Sequence, residues 1–431
     1  MLSLQDSIEN TETKKLFSVL YSKDSNTINE QVNRYQNLIS NYEICFTIND
    51  KIHLFSTPGR TEIGGNHTDH NHGRVLAAGV NLDSIAAAAK NNDNRIIIYS
   101  QGYDRPFVVA LDELNIKEQE TGTTNALIRG IAALFVEMGY KIGGFNAYIS
   151  SNVLVGSGLS SSASIEVLIG TILNAFYNEH KISEKILALI GQYAENIYFK
   201  KPCGLMDQIA CAVGGIVTID FKNPKQPLIK KVDFTFSAQN YSLIIVDTGG
   251  NHADLTDDYA SVPREMKAVA KALKTNVCRE ITKTDVLKNI NELRASVGDR
   301  AVLRAIHFLG ENERVESQVD ALEKGDFETF LKLVKDSGNS SFKWLQNCYT
   351  TKNTSEQGIT LALSLTEDYI KLCKKGACRV HGGGFAGTIQ VFLPCEFVAD
   401  YKKIMESVFG KQSVLVLNVR QYGTLHISKE E

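Results

Sequence analysis

The sequence predicts an α+β fold of more than one lobe, and three observations favour this class. First, a chain of 431 residues is too long for one simple core. Second, strand-like and helix-like segments are mixed along the chain without a regular βαβ period or a detectable repeat. Third, hydrophobic residues make up 43% and charged residues 22% of the chain, as in ordinary soluble globular proteins.

The first half of the chain predicts helices, then a sheet, then further helices. Residues 11–43 are helix-like with one polar face and form a helical extension (residues 1–43) before the main domain. Strand signals rich in Ile, Val and aromatic residues occur at 51–56, 80–86, 95–99 and 107–111. A helix over 124–138 and a strand over 145–150 follow these first strands. The last elements of this half are a helix over 183–198 with Ser183 as N-cap, a short helix from about Gly204 and a strand over 216–221.

Gly214 and Gly215 end the short helix, and we place the boundary between the lobes there. The N-terminal lobe is then residues 1–215 and the C-terminal lobe residues 216–431. The few prolines and the absence of a low-complexity linker predict tightly packed lobes. The second half predicts strands at 242–247, 388–393 and 414–419, and helices near 254–274, 301–323, 326–336 and 354–375.

Composition excludes several classes of partner. A net charge of −3 gives no basic field for nucleic acid or an anionic membrane surface. The first 15 residues carry acidic side chains and no long apolar core, so no signal peptide is expected, and no apolar run reaches the roughly 18 residues of a membrane span. Eight scattered cysteines without a CxxC pair indicate reduced thiols. We therefore expect a cytoplasmic protein.

Residues 154–163, Leu-Val-Gly-Ser-Gly-Leu-Ser-Ser-Ser-Ala, form a Gly/Ser-rich turn between a strand and a helix. Two glycines allow backbone N–H groups to approach a ligand closely, and the helix N-terminus behind them favours phosphate. The serine hydroxyls can bond phosphate oxygens or ligate a metal. The Lys-Ser/Thr ending of the common P-loop is missing. Taken alone, the turn is equally suited to capping of the helix by Ser160 or Ser161.

Residues 58–73 concentrate histidines, an aspartate, asparagines and an arginine at the exit of a strand. Neutral histidines with Asp and Asn can donate to and accept from each hydroxyl of a polyol. A metal site using His67, His70 and His72 is the alternative, but their spacing on a Gly-rich loop lacks rigid ligand geometry. Sugar binding is the better interpretation.

Two further segments carry chemistry. Asp207 begins a helix after a Gly turn, where charge complementation of the helix N-terminus is its simplest role. Gly382, Gly383 and Gly384 precede an apolar strand, and consecutive glycines there favour close backbone approach to the Gly/Ser turn or to a ligand over a simple turn.

Taken in order, these four segments resemble the GHMP small-molecule kinases, and within them the galactokinases, from about Ile52 to Val419. The family pattern G-R-x-N-x-I-G-E-H-x-D-Y matches Gly59-Arg60 and His67-Thr68-Asp69. The pattern G-L-S-S-S-A matches residues 158–163 without a mismatch, and C-G-x-M-D-Q matches residues 203–208. The pattern M-T-G-G-G-F-G-G appears as residues 380–387 with Val380, His381 and Ala386 as departures.

The resemblance implies a two-lobed kinase, each lobe a mixed or antiparallel sheet packed with helices, with its active site in the cleft between the lobes. Asp207 faces the anomeric hydroxyl of a sugar, as a base or as an electrostatic stabiliser, and Arg60 keeps it ionised and helps hold the transferring phosphoryl group. Ser162 and Glu195 bind Mg²⁺. The implied ATP phosphate site is Gly156, Ser157, Gly158, Leu159, Ser160, Ser161 and Ser162.

The resemblance also implies the sugar pocket. Its residues are Asn66, His67, Asp69, Gly204 and Tyr259, with Gly382, Gly383 and Gly384 near the phosphates and the cleft. From spacing alone Tyr259 is equally well explained as a packing aromatic on a helix. The nucleotide base is expected between the helix after the turn and the loop 90–94. The small-molecule partners are then a sugar, ATP and Mg²⁺, and the oligomeric state stays open, a monomer being compatible with the sequence.

One departure bears on the sugar. The family's Glu before His is Asn66 here, and in galactokinases that glutamate helps bind the C6 end. An amide loses the negative charge and could hydrogen-bond a C6 acid. Galactose is the preferred substrate, and galacturonate or L-arabinose are the alternatives. A sensor that binds sugar and ATP without turnover is disfavoured, because Arg60, Glu195 and Asp207 are all present.

Overall fold

The computed structural model describes residues 8–47, 50–154, 156, 158–250 and 255–428. Within these residues the strands form one sheet of eight strands and one of four. The larger sheet contains β1 (His53–Gly64), β2 (Arg74–Lys90), β3 (Arg95–Ser100), β4 (Phe107–Ala110), β5 (Phe145–Ser151), β6 (Ile216–Asp220), β7 (Leu228–Val232) and β12 (Leu425–His426). The smaller sheet contains β8 (Tyr241–Asp247), β9 (Ala377–His381), β10 (Thr388–Pro394) and β11 (Val414–Leu417).

Helices surround both sheets. Those of the first half are α1 (Thr11–Leu20), α2 (Ser25–Cys45), α3 (Thr124–Glu137), α4 (Ser161–Tyr177), α5 (Glu184–Tyr193) and α6 (Met206–Val213). Those of the second half are α7 (Thr256–Ala272), α8 (Lys283–Lys288), α9 (Ile290–Ser296), α10 (Asp299–Glu323), α11 (Phe327–Ser340), α12 (Gly358–Cys373) and α13 (Val398–Phe409). One π-helical turn, Ala194–Tyr198, extends α5, and another, Ser341–Leu345, extends α11.

The larger sheet has the strand order β12-β1-β2-β5-β3-β4, with β6 on β2 and β7 on β6. β3 and β5 are parallel, and the other pairs are antiparallel. The long β1–β2 ladder shifts register between Pro58 and Arg60 and again between Glu62 and Gly64. Such irregularities turn side chains away from the regular alternation, and they flank Arg60.

β2 is buried on both faces, because helices cover each side of the larger sheet. Ala86 and Ala88 pack in the core with α3, α4 and α5, whereas Ile85 and Ala87 pack in the core with α1 and α2. The small alanine side chains let helices approach on both sides. The predicted helical extension over 11–43 is therefore α1 and α2, which cover the outer face of this sheet.

The smaller sheet is antiparallel in the order β11-β8-β10-β9. One of its faces joins a core shared with the larger sheet and with α10 and α11, and the other packs against α12 and α13. This is the predicted α+β class, with two sheets packed with helices. Among the described residues no helix is both long and apolar enough to cross a membrane. All eight cysteines lie within the described ranges and are free thiols.

The predicted boundary after residue 215 does not follow the sheets. β6 and β7 lie beyond that boundary yet pair with β2 and with each other, and β12 returns from the end of the chain to pair with β1. β1 and β2 need partner strands for their backbone N–H and C=O groups. Strands that are distant in the chain can provide these hydrogen bonds as well as neighbouring strands can. Three strands of the predicted C-terminal lobe therefore belong to the sheet of the N-terminal lobe.

Candidate active site

Arg60 and Asp207 meet at the centre of the site. Arg60 Nε lies 2.8 Å from Asp207 Oδ1, and Arg60 Nη2 lies 2.8 Å from Asp207 Oδ2. Burial lowers the pKa of Arg60, but the charge of Asp207, its hydrogen bonds and the charge of Glu62 together offset this effect and hold that pKa above its usual value. The Asp207 carboxylate, 31% exposed, faces the cleft from the first turn of α6.

Ser160 links the Gly/Ser turn to this pair. It occupies the N-cap position of α4 with a left-handed backbone, φ 61°. Its hydroxyl donates to Asp207 Oδ2, and among the described residues it makes no capping bond to α4. Of the two roles that suit the sequence, the structure therefore favours the site over simple capping.

The turn also contacts β1 directly. Arg60 Nη1 donates to the carbonyl of Gly158, and the Arg60 backbone N–H donates to the carbonyl of Leu159 at 3.0 Å. A Cβ on Gly158 would lie 3.0 Å from both His381 Nδ1 and Thr388 Oγ1, so only glycine brings the turn this close to β9 and β10. The Leu159 side chain is fully buried and anchors the turn.

The N-terminus of α4 completes the phosphate-binding surface. The first N–H groups of an α-helix, here those from Ser161 onward, have no partner within the helix and favour an anion. Gly156, with φ 83°, lies at the start of the turn. Ser157 is outside the described residues, so its predicted role stays a prediction.

Ser162 and Glu195 lie side by side, as the predicted metal site requires. Ser162 Oγ donates to Glu195 Oε1 at 3.1 Å, and Glu195 is carried by the π-helical turn after α5. Gln208 Nε2 lies 3.0 Å from both Glu195 Oε2 and Glu166 Oε2. Burial and then the charge of Glu195 raise the pKa of Glu166 well above its usual value. Gln208 therefore links Glu195 to the buried Glu166 and supports Glu195 from behind.

These residues fit Mg²⁺. Magnesium prefers oxygen ligands and commonly takes one or two carboxylates together with substrate phosphates. One carboxylate and one hydroxyl beside the helix N-terminus provide this donor set. In the part of the chain that the structure describes, no group of three or more His, Cys, Asp and Glu side chains could hold a metal ion alone.

Asp69 and Gly204, both predicted to contact the sugar, lie against each other. Asp69 Oδ1 accepts from the His70 backbone N–H at 2.8 Å, while Oδ2 lies so close to Gly204 that a Cβ there would overlap it. Burial raises the pKa of Asp69 to about 6, and the charge of Asp207 adds to this rise. The predicted pair of Asp69 and Gly204 is therefore brought together near Asp207.

His67 is part of a chain of hydrogen bonds. Asn71 Nδ2 lies 2.9 Å from His70 Nδ1, His70 Nε2 lies 3.3 Å from His67 Nδ1, and His67 Nε2 lies 2.9 Å from the carbonyl of Gly383. Because a carbonyl only accepts, His67 donates through Nε2. Burial lowers the pKa of His67 to about 4, so the ring is neutral. His67 thus joins the sugar motif (residues 58–73) to the glycine loop (residues 382–387).

Asn66 does not present its amide to the cleft, and here the sequence-based prediction is wrong. The residue is fully buried. Its Nδ2 donates to Glu62 Oε1 at 3.0 Å and to the carbonyl of Gly382 at 2.6 Å. Its Oδ1 accepts from Asn347 Nδ2 at 2.9 Å and from Ser341 Oγ at 3.2 Å. The amide is used to hold protein segments together, so it is not free to bind a sugar.

Tyr259 and the three glycines form the opposite wall. Tyr259 OH donates to the carbonyl of Gly384 at 2.8 Å, and a Cβ on Gly383 would lie 2.6 Å from the tyrosine ring. Gly384 has φ 79°, and a Cβ there would overlap the carbonyl of Asn347. The glycines therefore permit close approach to Tyr259, Asn347 and the sugar motif, whereas their predicted approach to the Gly/Ser turn or to a ligand stays a prediction.

Sequence reasoning missed the buried polar residues behind this wall. Arg379 Nη2 lies 2.6 Å from Glu62 Oε1, and Glu311 Oε1 accepts from Ser337 Oγ at 2.6 Å and from the Gly65 backbone N–H at 3.1 Å. The one available signal was Glu62 in β1, whose only other charged side chain is Arg60. These contacts fix the sugar motif against β9 and α10.

The predicted place of the nucleotide base is wrong. The loop 90–94 follows β2 beside Phe145, the first residue of β5, while the Gly/Ser turn follows Ser151 at the other end of that strand. Seven strand residues span about 20 Å. The turn and the loop 90–94 therefore lie at opposite ends of β5, and α4 begins at the turn and runs away from it. A nucleotide whose phosphates lie on the turn does not place its base beside that loop.

Comparison with known proteins agrees with this arrangement. The fold and the site define a GHMP small-molecule kinase, and residues 125–215 match the family model described as GHMP kinases N terminal domain. Residues 41–90 match the galactokinase galactose-binding signature. The chain is 31% identical over 362 residues to a galactokinase of Mannheimia succiniciproducens, covering 83% of this chain and 89% of the relative. The chain belongs to the galactokinase family.

Other relatives and solved structures agree. A galactokinase of Haemophilus influenzae is 29% identical over 363 residues, covering 83% of this chain and 89% of that protein. The crystal structure of Lactococcus lactis galactokinase complexed with galactose superimposes with a TM-score of 0.76 at 22% identity, covering 90% of this chain and 98% of that one. The Methanococcus jannaschii mevalonate kinase gives 0.58 at 16% identity, covering 87% and 99%. At these identities the structures support the predicted two-lobed kinase fold.

Proposed function

We propose that this chain transfers the terminal phosphoryl group of ATP to the 1-hydroxyl of α-D-galactose, giving α-D-galactose 1-phosphate and ADP. One observation carries the proposal: Asp207 contacts Ser160 of the phosphate-binding turn and Arg60 of the sugar-motif strand, beside Asp69 and Gly204. The phosphate side and the sugar side of the site therefore meet at one carboxylate. The curated galactokinase relatives support the same reaction.

The chemistry of Asp207 fits an acceptor hydroxyl. A carboxylate offers about four acceptor positions. Among the described residues, two donors from Arg60 and one from Ser160 reach it. One position facing the cleft is then left for the sugar hydroxyl. In this geometry Asp207 orients and polarises that hydroxyl, and Arg60 lies where charge develops on the transferring phosphoryl group.

Phosphate binding is assigned to the Gly/Ser turn and the N-terminus of α4. We assign Mg²⁺ to Ser162 and Glu195, where it would neutralise charge on the ATP phosphates when bound. Ser162 and Glu195 are held in register by their mutual hydrogen bond, and Gln208 fixes the second Glu195 oxygen. We place the reaction in the cytoplasm, because the free thiols suit a reducing compartment.

Galactose is favoured over a uronic acid or a pentose. The case for galacturonate depended on a free amide at Asn66, and that amide is bonded to Glu62, Gly382 and Asn347. L-arabinose was an alternative because it lacks C6, and the relatives that support galactose favour the hexose over it. Asp69 and the wall formed by Tyr259 and the glycines instead form a pocket that suits an uncharged sugar. A carboxylate at Asp69 would also repel an acidic substrate.

A coupled assay of ADP release with ATP and a panel of aldoses and uronic acids tests the proposal. Galactose should give the highest kcat/KM. Asp207→Asn should lower kcat by at least about a hundredfold, as expected for loss of a group acting on the reacting hydroxyl, while sugar affinity changes little. Sugar binding without ADP release by the unmodified chain would indicate a sensor, and turnover near that of the unmodified chain in Asp207→Asn would remove the assignment of Asp207.

A further inference from the structure

The Lys201 ammonium lies where the metal site and the phosphate-binding turn meet. Lys201 Nζ is 3.0 Å from Glu195 Oε1. The same oxygen accepts from Ser162 Oγ at 3.1 Å, and Ser162 belongs to the first turn of α4. A positive charge therefore sits beside the helix N-terminus that faces the phosphates.

The backbone holds this lysine in place. The Lys201 backbone N–H donates to the carbonyl of Glu195 at 3.1 Å, and Lys200 before it adopts a left-handed conformation with φ 67°. Gly204, which packs against Asp69, follows three residues later. Lys201 thus lies in the short segment that joins Glu195 to Gly204, with its ammonium at Glu195.

Exposure and charge distinguish Lys201 from Arg60. The Lys201 side chain is 61% exposed, whereas its partner Glu195 is 3% exposed. Arg60 is held by both oxygens of Asp207, so its guanidinium is fixed. A lysine is a compact charge on a flexible stem and can change partners at little cost. Glu195, Asp207 and Asp69 would repel a polyphosphate, so a mobile cation is needed there.

We propose that Lys201 is a phosphate-binding residue, which pairs with Glu195 before the nucleotide arrives and contacts the polyphosphate of the nucleotide once a cation occupies Glu195. The proposal rests on the function proposed above. Lys201 would contact the diphosphate that ADP and ATP share. The loss of Lys201 should therefore weaken the binding of ADP as well as of ATP.

The experiment compares Lys201→Met with Lys200→Met, its exposed neighbour of the same residue type. ADP binding is measured by titration calorimetry with Mg²⁺ and without sugar, and kcat/KM for ATP by ADP release. Lys201→Met should weaken ADP binding about tenfold, the loss of one charge-assisted hydrogen bond, and lower kcat/KM for ATP at least as much. Lys200→Met should stay within about twofold of the unmodified chain.

Lys201→Arg keeps the charge and should recover most of the ADP affinity. Equal ADP affinity in Lys201→Met and Lys200→Met, with galactose turnover intact in both, would overturn this inference and leave the proposed function standing. Failure of the unmodified chain to bind ADP would overturn both. A melting temperature of Lys201→Met equal to that of Lys200→Met separates a local effect from misfolding.

Discussion

Asp69 and Asp207 are two carboxylates of one site in different surroundings. Asp207 accepts from the fixed guanidinium of Arg60 and from Ser160. Asp69 is half-buried and, among the described residues, accepts from the His70 backbone N–H, and its pKa rises to about 6 because of desolvation and the Asp207 charge. Sugar hydroxyls donate more strongly to a charged carboxylate than to a neutral acid. We therefore expect sugar binding to depend on the ionisation of Asp69.

We expect KM for galactose to rise as the pH falls below about 6, because protonation removes the acceptor at Asp69. Measurement of KM and kcat across the pH range checks this, and Asp69→Asn should have a high KM without that inflection. Asp93→Asn, in an exposed loop, should keep the original profile. Persistence of the inflection in Asp69→Asn would assign it to another group.

The pH dependence that Asp69 gives to folding stability is opposite in sign to that of an ion-paired carboxylate. Because the pKa of Asp69 is raised in the folded protein, its contribution to the free energy of unfolding declines as the pH rises through about 6.

At the scale of elements, the end of β1 is joined to the glycine loop by Glu62, Asn66 and Arg379. The family pattern has Asn four residues before its Glu, whereas this chain has Glu62 four residues before Asn66. The two side chains are hydrogen-bonded, and Arg379 pairs with Glu62. The exchange keeps one carboxylate and one amide at this junction. The negative charge is therefore retained, but it lies four residues earlier in the chain, at Glu62 in place of position 66.

Exchange of the two residues should therefore be cooperative. Asn66→Glu alone places a second carboxylate beside Glu62 and the Gly382 carbonyl, and it should lower the free energy of unfolding by about 3–5 kcal/mol. The double variant Glu62→Asn, Asn66→Glu leaves one carboxylate near Arg379 and should regain about 1–3 kcal/mol relative to that single variant. Urea unfolding of the single and double variants gives the coupling energy. Strictly additive effects would show that the two positions act independently.

The sequence predicted most helices and strands of the described residues, because their periodicity and end signals are local. α3, α10 and α12 are examples, each within a few residues of its predicted bounds. β7, β9, β12, α8, α9 and α13 were missed, although a capping box of Thr282 and Asp285 marks the start of α8. The site residues were predicted by motif, but the use of Asn66 depends on Asn347 and Gly382, which are distant in the chain. Contacts of this kind leave no pattern in a single sequence.

At the scale of the whole molecule, Asp83 joins distant parts of the chain. Arg34 Nη1 lies 2.5 Å from Asp83 Oδ1, Tyr21 OH donates to Oδ2 at 2.6 Å, and Arg420 Nη1 lies 3.0 Å from Oδ2. Burial opposes the charge of Asp83, but Arg34 and Arg420 hold its pKa below the usual value. This carboxylate ties α1 and α2 to β2 and to the segment before β12.

Asp83→Asn should therefore destabilise the protein by about 3–5 kcal/mol, because Arg34 and Arg420 lose a buried counter-charge. Urea unfolding near neutral pH measures the loss. Since the pKa of Asp83 is depressed, its stabilisation is present above the unfolded value of about 3.9 and is lost as the pH falls through the folded pKa. Asp104→Asn, on an exposed turn, should change stability by less than about 0.5 kcal/mol. Equal effects of both substitutions would contradict the role of Asp83.

The pairing of β12 with β1 also sets the order in which this protein can fold. Phe55 and Ser56 lie opposite His426 and Leu425, and Arg420 reaches Ser56 and Asp83 from the same segment. A ribosome makes β1 early and β12 late. Until the late segment emerges, one edge of β1 lacks its partner strand, and open strand edges template aggregation. The sheet that carries Arg60 thus begins to form early in synthesis, and it is completed only after β12 has emerged.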